Sequence, residues 1–188
     1  MDEQRIKLPL SDQAIAALQA GDILRLTGTL LTARDAAHKR LLENLQQGRP
    51  LPVSLAGQII YYVGPAPARD QRVIGPAGPT TSGRMDPYTL PLLELGVKGF
   101  IGKGYRSPEI HEALARHHAI YMAAIGGAAA LLARQIKQSK IVAYPDLGPE
   151  AVHELWVEDF PVIVVYDVHG GDAYQSGRKR YEGPKESR

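Results

Sequence analysis

The chain has 188 residues, 44% of them hydrophobic and 22% charged, with a net charge of +2, a balance that fits one soluble globular domain and gives no reason to expect nucleic acid as a partner. It contains no cysteine, which excludes a disulfide framework and any thiolate metal site built from this chain alone. With no apolar h-region at its start and no run of about 18 apolar residues, neither a signal peptide nor a membrane span is predicted, and a cytoplasmic location is expected.

Ser11 ahead of DQAIAALQAGD reads as an N-cap, with Ile15 and Leu18 as an apolar stripe and Gly21 as a stop, so a small helix is predicted first. DILRLTGTLLTA alternates and is rich in Leu, Ile and Thr, which predicts a strand ending near Leu31. Thr32 followed three positions later by Asp35 resembles a capping box with Asp in the usual Glu or Gln place; Ala37, Leu41 and Leu45 continue at helical spacing up to Gly48. Arg34 therefore falls in a helix's first turn, where the positive end of the dipole repels it. An anion nearby would explain it.

GQIIYYVG is the next predicted strand. The stretch GPAGPTTSGRMDPY, residues 75 to 88, is too rich in Gly and Pro for a helix or strand interior and reads as a shaped loop. Ser82 is expected to cap a short helix from Gly83 to Asp86, aiming free N–H groups at whatever lies over Thr80 and Thr81, an anion site in outline. PLLELGVKGFIGKGY predicts a short helix stopped at Gly96, a strand from Gly99 to Ile101 and a glycine-rich turn around Lys103. Ser107, Pro108 and Glu109 start another helix. AIYMAAIG predicts a strand ending at Gly126 and Gly127, AAALLARQI a helix, and SKIVAYPDLG, HELWVEDF and PVIVVYDVHG three more strands. Strands alternating with helices predict an α/β domain. The charged SGRKRYEGPKES near the end lacks apolar spacing and reads as a solvated tail.

Three cations adjoin glycine-rich or hydroxyl-rich turns: Arg34 after GTLLTA, Arg84 after TTSG, and Lys103 in GKG. Singly each reads as a surface charge. Together they suit a small dicarboxylate, which needs a cation at each end, and the Arg fork binds carboxylates in a bidentate way. GKG lacks the spacing of a P-loop. Thr80, Thr81 and Ser82 are either caps or hydroxyls aimed at a substrate; a Thr hydroxyl is a poor base unless a neighbouring charge holds its alkoxide. His38, four residues after Arg34 on the same helix face, either orients a carboxylate or packs. His111, His117 and His118 share one predicted helix, but no third ligand lies near in sequence and no metal site is expected. Asp167 and His169 at a strand end read as structural, and GGAAALL as close packing.

In this order, TGTLLTARDAAHKRL, GPTTSGRMD, GKG and VEDFPVIVVYD resemble the C-terminal or beta part of class I, iron–sulfur fumarate hydratases and the related L-tartrate dehydratases, over roughly Leu8 to Tyr174. The resemblance implies an α/β fold of the swivelling β/β/α type over residues 8–174; residues 175–188 are read from their composition as a basic, flexible tail. It implies pairing with a separate alpha subunit in a hetero-oligomer such as alpha2beta2. A four-iron, four-sulfur (4Fe-4S) cluster would be held by cysteines of that subunit and none by this chain. Carried over by motif, Thr80 is the base, assisted by an Asp of the alpha chain; Arg34, Arg84 and Lys103 hold the substrate carboxylates; Thr81, Gly83, His38 and Asp35 support them. Gly83 and Asp86 follow the fumarase form of the loop, so the implied activity is reversible hydration of fumarate to L-malate. L-tartrate dehydration and a non-catalytic anion-binding or assembly domain are the alternatives.

Overall fold

Alternating apolar side chains dictate the central strand, and the computed structural model, which describes residues 3–68 and 72–182, builds the sheet around it. In chain order the elements are β1 (Glu3–Lys7), α1 (Asp12–Ala17), β2 (Ile23–Thr32), α2 (Asp35–Gln46), β3 (Ile59–Tyr61), a 3-10 turn (Ser82–Met85), α3 (Asp86–Glu94), β4 (Gly99–Gly102), α4 (Pro108–Arg116), β5 (Ile120–Ala123), α5 (Ala129–Arg134), β6 (Ile136–Ala143), a second 3-10 segment (Pro145–Glu150), β7 (Val152–Tyr166) and α6 (Ala173–Tyr181).

The two serine caps behave as their sequences predict. Ser11 Oγ accepts from Ala14 N and Ser107 Oγ from Ile110 N, each satisfying an amide that the first helical turn leaves unpaired. The capping box does not form. Thr32 is the last residue of β2, where its buried hydroxyl donates to Ala151 O and accepts from His153 N, so it fastens β2 to the start of β7. Arg34 takes the N-cap position of α2 without a side-chain cap bond. HELWVEDF and PVIVVYDVHG, predicted as two strands, form the single strand β7. Between Leu26 and Gly28 its register with β2 shifts by a bulge, which absorbs Glu158 and Asp159, the latter at φ 51°. The edge strand β1 was not predicted. Helix α6, capped by Asp172, takes in the first residues of the predicted tail; residues 183–188 lie outside the described part.

The strand order is β1-β2-β3-β4-β5-β7-β6, with β2 also paired to β7. That extra pairing closes β2, β3, β4, β5 and β7 into a ring. Within it β2–β3, β3–β4 and β4–β5 are parallel, and the two pairs made by β7 are antiparallel. The fold is thus a single α/β domain with a mixed sheet, five of whose strands wrap into a ring. Alternation along each strand sends one set of side chains into the ring and the other outward. Leu24, Leu26, Ile59, Tyr61, Ile101, Met122, Phe160 and Val162 meet inside. Ile60, Tyr62, Phe100, Tyr121 and Val165 form a second cluster outside, roofed by Ala37 of α2, Leu92 and Leu93 of α3, and Ile110 and Leu114 of α4. The N-terminus of α2 and the turn at Ser82 both lie at the ends of ring strands, and there the candidate site is built.

Candidate functional site

Two arginines and an aspartate form the centre. Asp35, in the first turn of α2, accepts from Arg84 through both carboxylate oxygens, Nε to Oδ1 and Nη2 to Oδ2, each at 3.1 Å. Its Oδ2 also accepts from Arg34 Nε at 3.3 Å. Burial pushes the Asp35 carboxyl up, but backbone amide and guanidinium donors outweigh burial and hold it below the ordinary aspartate value. Arg84 Nη2 reaches further, donating to Thr80 Oγ1 at 2.8 Å. One guanidinium therefore bridges a carboxylate and a hydroxyl. The bridge supplies Thr80 with the cationic neighbour that a threonine needs before it can act as a base.

The loop carrying Thr80 and Arg84 is held by backbone pairing. Thr80 N donates to Tyr62 O and Ser82 N to Lys103 O, while Lys103 N donates to Thr80 O. The amides of Thr80, Ser82 and Lys103 are thus consumed by the fold. Ser82 is not a cap. It lies inside the 3-10 turn with no exposed surface, its Oγ accepting from Tyr121 Oη at 2.9 Å. A Cβ on Gly102 would stand 1.9 Å from that Oγ, so Gly102 is glycine because Ser82 occupies its side-chain space.

Lys103 follows Gly102, exposed and locked to the loop through its backbone bridge with Thr81. Thr81 is exposed beside it. A Cβ on Gly83 would stand 3.3 Å from Tyr105 O, so this glycine makes room for the protein's own backbone. His38 is placed below the cluster, not in it. Fully buried, it stacks on Tyr88 and meets Tyr62 edge-on, and its Nδ1 donates to Arg34 O at 2.8 Å. Burial, which disfavours the imidazolium, pushes its pKa down to about 4.

Several contributors escape sequence reasoning. Glu150, from the segment before β7, lies 3.3 Å from Arg34 Nε and accepts from Ala36 N at 2.7 Å. The anion that Arg34's position called for is thus partly the chain's own. Arg106 is buried, donating to Asp86, Thr89 and Tyr62. Asp86 also accepts from Ser107 N, joining the starts of α3 and α4 behind the loop. Among the predicted histidines, His111 packs against Tyr166, and His117 and His118 lie past the end of α4. Asp167 is structural as read, accepting from the amides of Ala20, His169 and Gly171.

Arg34, Asp35, Thr80 and Arg84 thus form one connected network, open on one side: the Arg34 and Arg84 side chains are 29% and 49% exposed. Four concavities of about 240–370 Å³ lie elsewhere, none lined by these residues or Lys103. The arrangement is a surface that carries partly exposed guanidinium donors. It does not fit an iron–sulfur cluster, since the chain has no cysteine and no three His, Asp or Glu of the described residues gather into a metal-holding group. No helix among them is long and apolar enough to cross a membrane.

The sequence has relatives among known proteins. The sequence matches the Fumarase C-terminus family over residues 1–177, and the chain belongs to that family. It is 43% identical over 155 residues to "Fumarate hydratase class I, anaerobic" of Escherichia coli, covering 81% of this chain and 28% of that protein. It is 41% identical over 165 residues to "Fumarate hydratase 2" of Leishmania major, covering 86% and 29%. With "Putative L(+)-tartrate dehydratase subunit beta" of Methanocaldococcus jannaschii it shares 38% identity over 177 residues, covering 91% of each chain. The chain therefore spans less than a third of the two fumarate hydratases and nearly the whole length of the subunit.

Proposed function

We propose that this chain is the beta subunit of a two-subunit hydro-lyase that reversibly hydrates fumarate to L-malate, and that it supplies one wall of an active site completed by an alpha subunit. The observation that carries the reading is the Arg84 guanidinium joined at once to Asp35 and Thr80. In this reading Arg34, Arg84 and Lys103 hold the two carboxylates. Thr80 moves the proton at the carbon next to one of them. The Arg84 donor at its oxygen favours the alkoxide, while Asp35 keeps the guanidinium in place, a pairing of charge and geometry that general-base catalysis requires. Thr81 and Gly83 shape the loop, and His38 supports it from below through the Arg34 carbonyl. The iron–sulfur cluster expected of such an enzyme belongs to the alpha subunit, where it would supply Lewis-acid chemistry at the substrate hydroxyl. The subunit arrangement is a hetero-oligomer such as alpha2beta2, and the compartment the cytoplasm.

Mixing the purified chain with its alpha subunit under anaerobic conditions tests the proposal. Fumarate hydration should appear in the mixture and be absent from the chain alone; turnover by the chain alone would overturn the shared-site reading. A second reading, L-tartrate dehydration, is favoured by the near-complete overlap with the Methanocaldococcus subunit. Comparing kcat/KM for fumarate and L-tartrate on the same complex separates the two, because a site that must bond an extra hydroxyl rejects the acid lacking it strongly.

A further inference from the structure

Arg34 stands where a cation is electrostatically out of place, at the N-terminus of α2, and its side chain gives that helix no cap. Glu150 resolves both problems. Its Oε2 accepts from Ala36 N at 2.7 Å, as a cap would, and its Oε1 lies 3.3 Å from Arg34 Nε. The segment that carries Glu150 is clasped along α2. Asn44 Nδ2 donates to Tyr144 Oη, and Arg40 Nη1 to both oxygens of Asp146. Positions 36, 40 and 44 share one helix face at i,i+4 spacing, and they engage Glu150, Asp146 and Tyr144 in reverse order. On the other side, a Cβ on Gly64 would stand 3.0 Å from Arg34 Nη1 and 3.3 Å from Pro149 O. The guanidinium is thus bounded by Gly64, Glu150 and Asp35. Its Nε faces the two carboxylates, and neither Nη has a hydrogen-bond partner among the described residues.

We infer that Glu150 is a positioning residue for the proposed reaction: its charge, and not only its helix cap, turns Arg34 so that both Nη atoms present a fork to a substrate carboxylate. The inference rests on the function proposed above for the ligand that meets the fork, but not for the orientation of the fork itself.

Two variants separate charge from cap. Glu150→Gln keeps the shape and an acceptor for Ala36 N but removes the charge; Glu150→Ala removes both. In the reconstituted complex, Glu150→Gln should raise KM for fumarate about tenfold with kcat changed less than about twofold, the pattern of lost binding with chemistry retained. Its Tm should stay near that of the parent, whereas that of Glu150→Ala should fall. In parallel, the Arg34 Nε–H signal of the 15N-labelled full chain, assigned by its loss in Arg34→Lys, should exchange with solvent faster in Glu150→Gln than in the parent, because Asp35 Oδ2 is then the one carboxylate left to hold it. A parental KM in Glu150→Gln, or an unchanged Arg34 signal, would overturn the inference and leave Glu150 a cap. If the parent complex does not use fumarate, the proposed function fails while the Arg34 signal still decides what Glu150 does. Should the Glu150 variants not fold, Asp146→Asn loosens the same segment further along α2 and should raise KM about threefold; an unchanged KM there overturns the inference too.

Discussion

Arg106 with Asp86 and Arg84 with Asp35 are the same pair of side chains in two settings. The Arg106 side chain has no exposed surface, and Nε, Nη1 and Nη2 each have a partner. Its guanidinium also lies 5.5–5.6 Å from the ring centroids of Tyr62, Phe100 and Tyr121. Such a group has nothing left to offer a ligand. Arg84 is half exposed and engages only Nε and Nη2 among the described residues, one partner being a hydroxyl with chemistry of its own. An ion pair alone therefore marks no site. Unengaged donors beside it do.

Removing one member of each pair should show the contrast. Asp86→Ala leaves Arg106 charged and buried without its partner, which should cost about 3–5 kcal/mol of stability, read from the denaturant midpoint. A loss below about 1 kcal/mol, the scale of an exposed pair, would erase the distinction. On the exposed side the loss should be kinetic. Thr80→Ala should lower kcat of the complex ~10²-fold or more with little change in Tm, and near-full turnover would make Thr80 a structural hydroxyl. Arg84→Lys should also lower kcat/KM about tenfold or more, because an ammonium cannot span Asp35 and Thr80 as the planar fork does. Parental kinetics in that variant would reduce Arg84 to a plain charge.

His38 lies between the two pairs and responds to both: burial and the Arg106 charge lower its pKa, while the bond to Arg34 O and the Asp35 charge raise it. With a folded value of about 4 against an unfolded value of about 6.5, its stabilisation is complete above the unfolded pKa and is lost as pH falls towards the folded one. From pH 7 to 5.5 this amounts to about 1 kcal/mol. His38→Asn keeps a donor for Arg34 O and removes the titration. Urea midpoints at the two pH values should therefore differ less in the variant than in the parent; an equal difference would mean that His38 does not enter the fold neutral.

What the sequence made legible was local. Ser11 and Ser107 announce their helices because a cap acts within three residues, and β2 announces itself by alternation. The convergence of Arg34, Thr80 and Arg84 came from motifs, not from any spacing. Glu150 has no local signal, since the amide it caps is at Ala36, on a distant element. Thr32 and Asp35 carried a capping signature that tertiary bonding overrode, the Thr32 hydroxyl being taken by the β7 backbone. Asp159 and Pro161 look like punctuation between two strands; in the fold Asp159 sits in a bulge inside one strand and Pro161 pairs with Arg25 beyond it. In β1, EQRIK is mostly charged because it lies on an edge that water reaches.

The pairing of β2 with β7 governs how the protein is made. Ile23 meets Ile163 and Leu31 meets Glu154, partners well over a hundred positions apart. Long-range antiparallel pairing of this kind raises contact order and slows folding. As a ribosome delivers the chain, the ring stays open until β7 has emerged, and Thr32 and Arg34 wait with it, because the residues that fasten and orient them, His153 and Glu150, arrive among the last. Until the ring closes, the Thr32 hydroxyl lacks its bond to His153 N and Arg34 lacks Glu150 beside it.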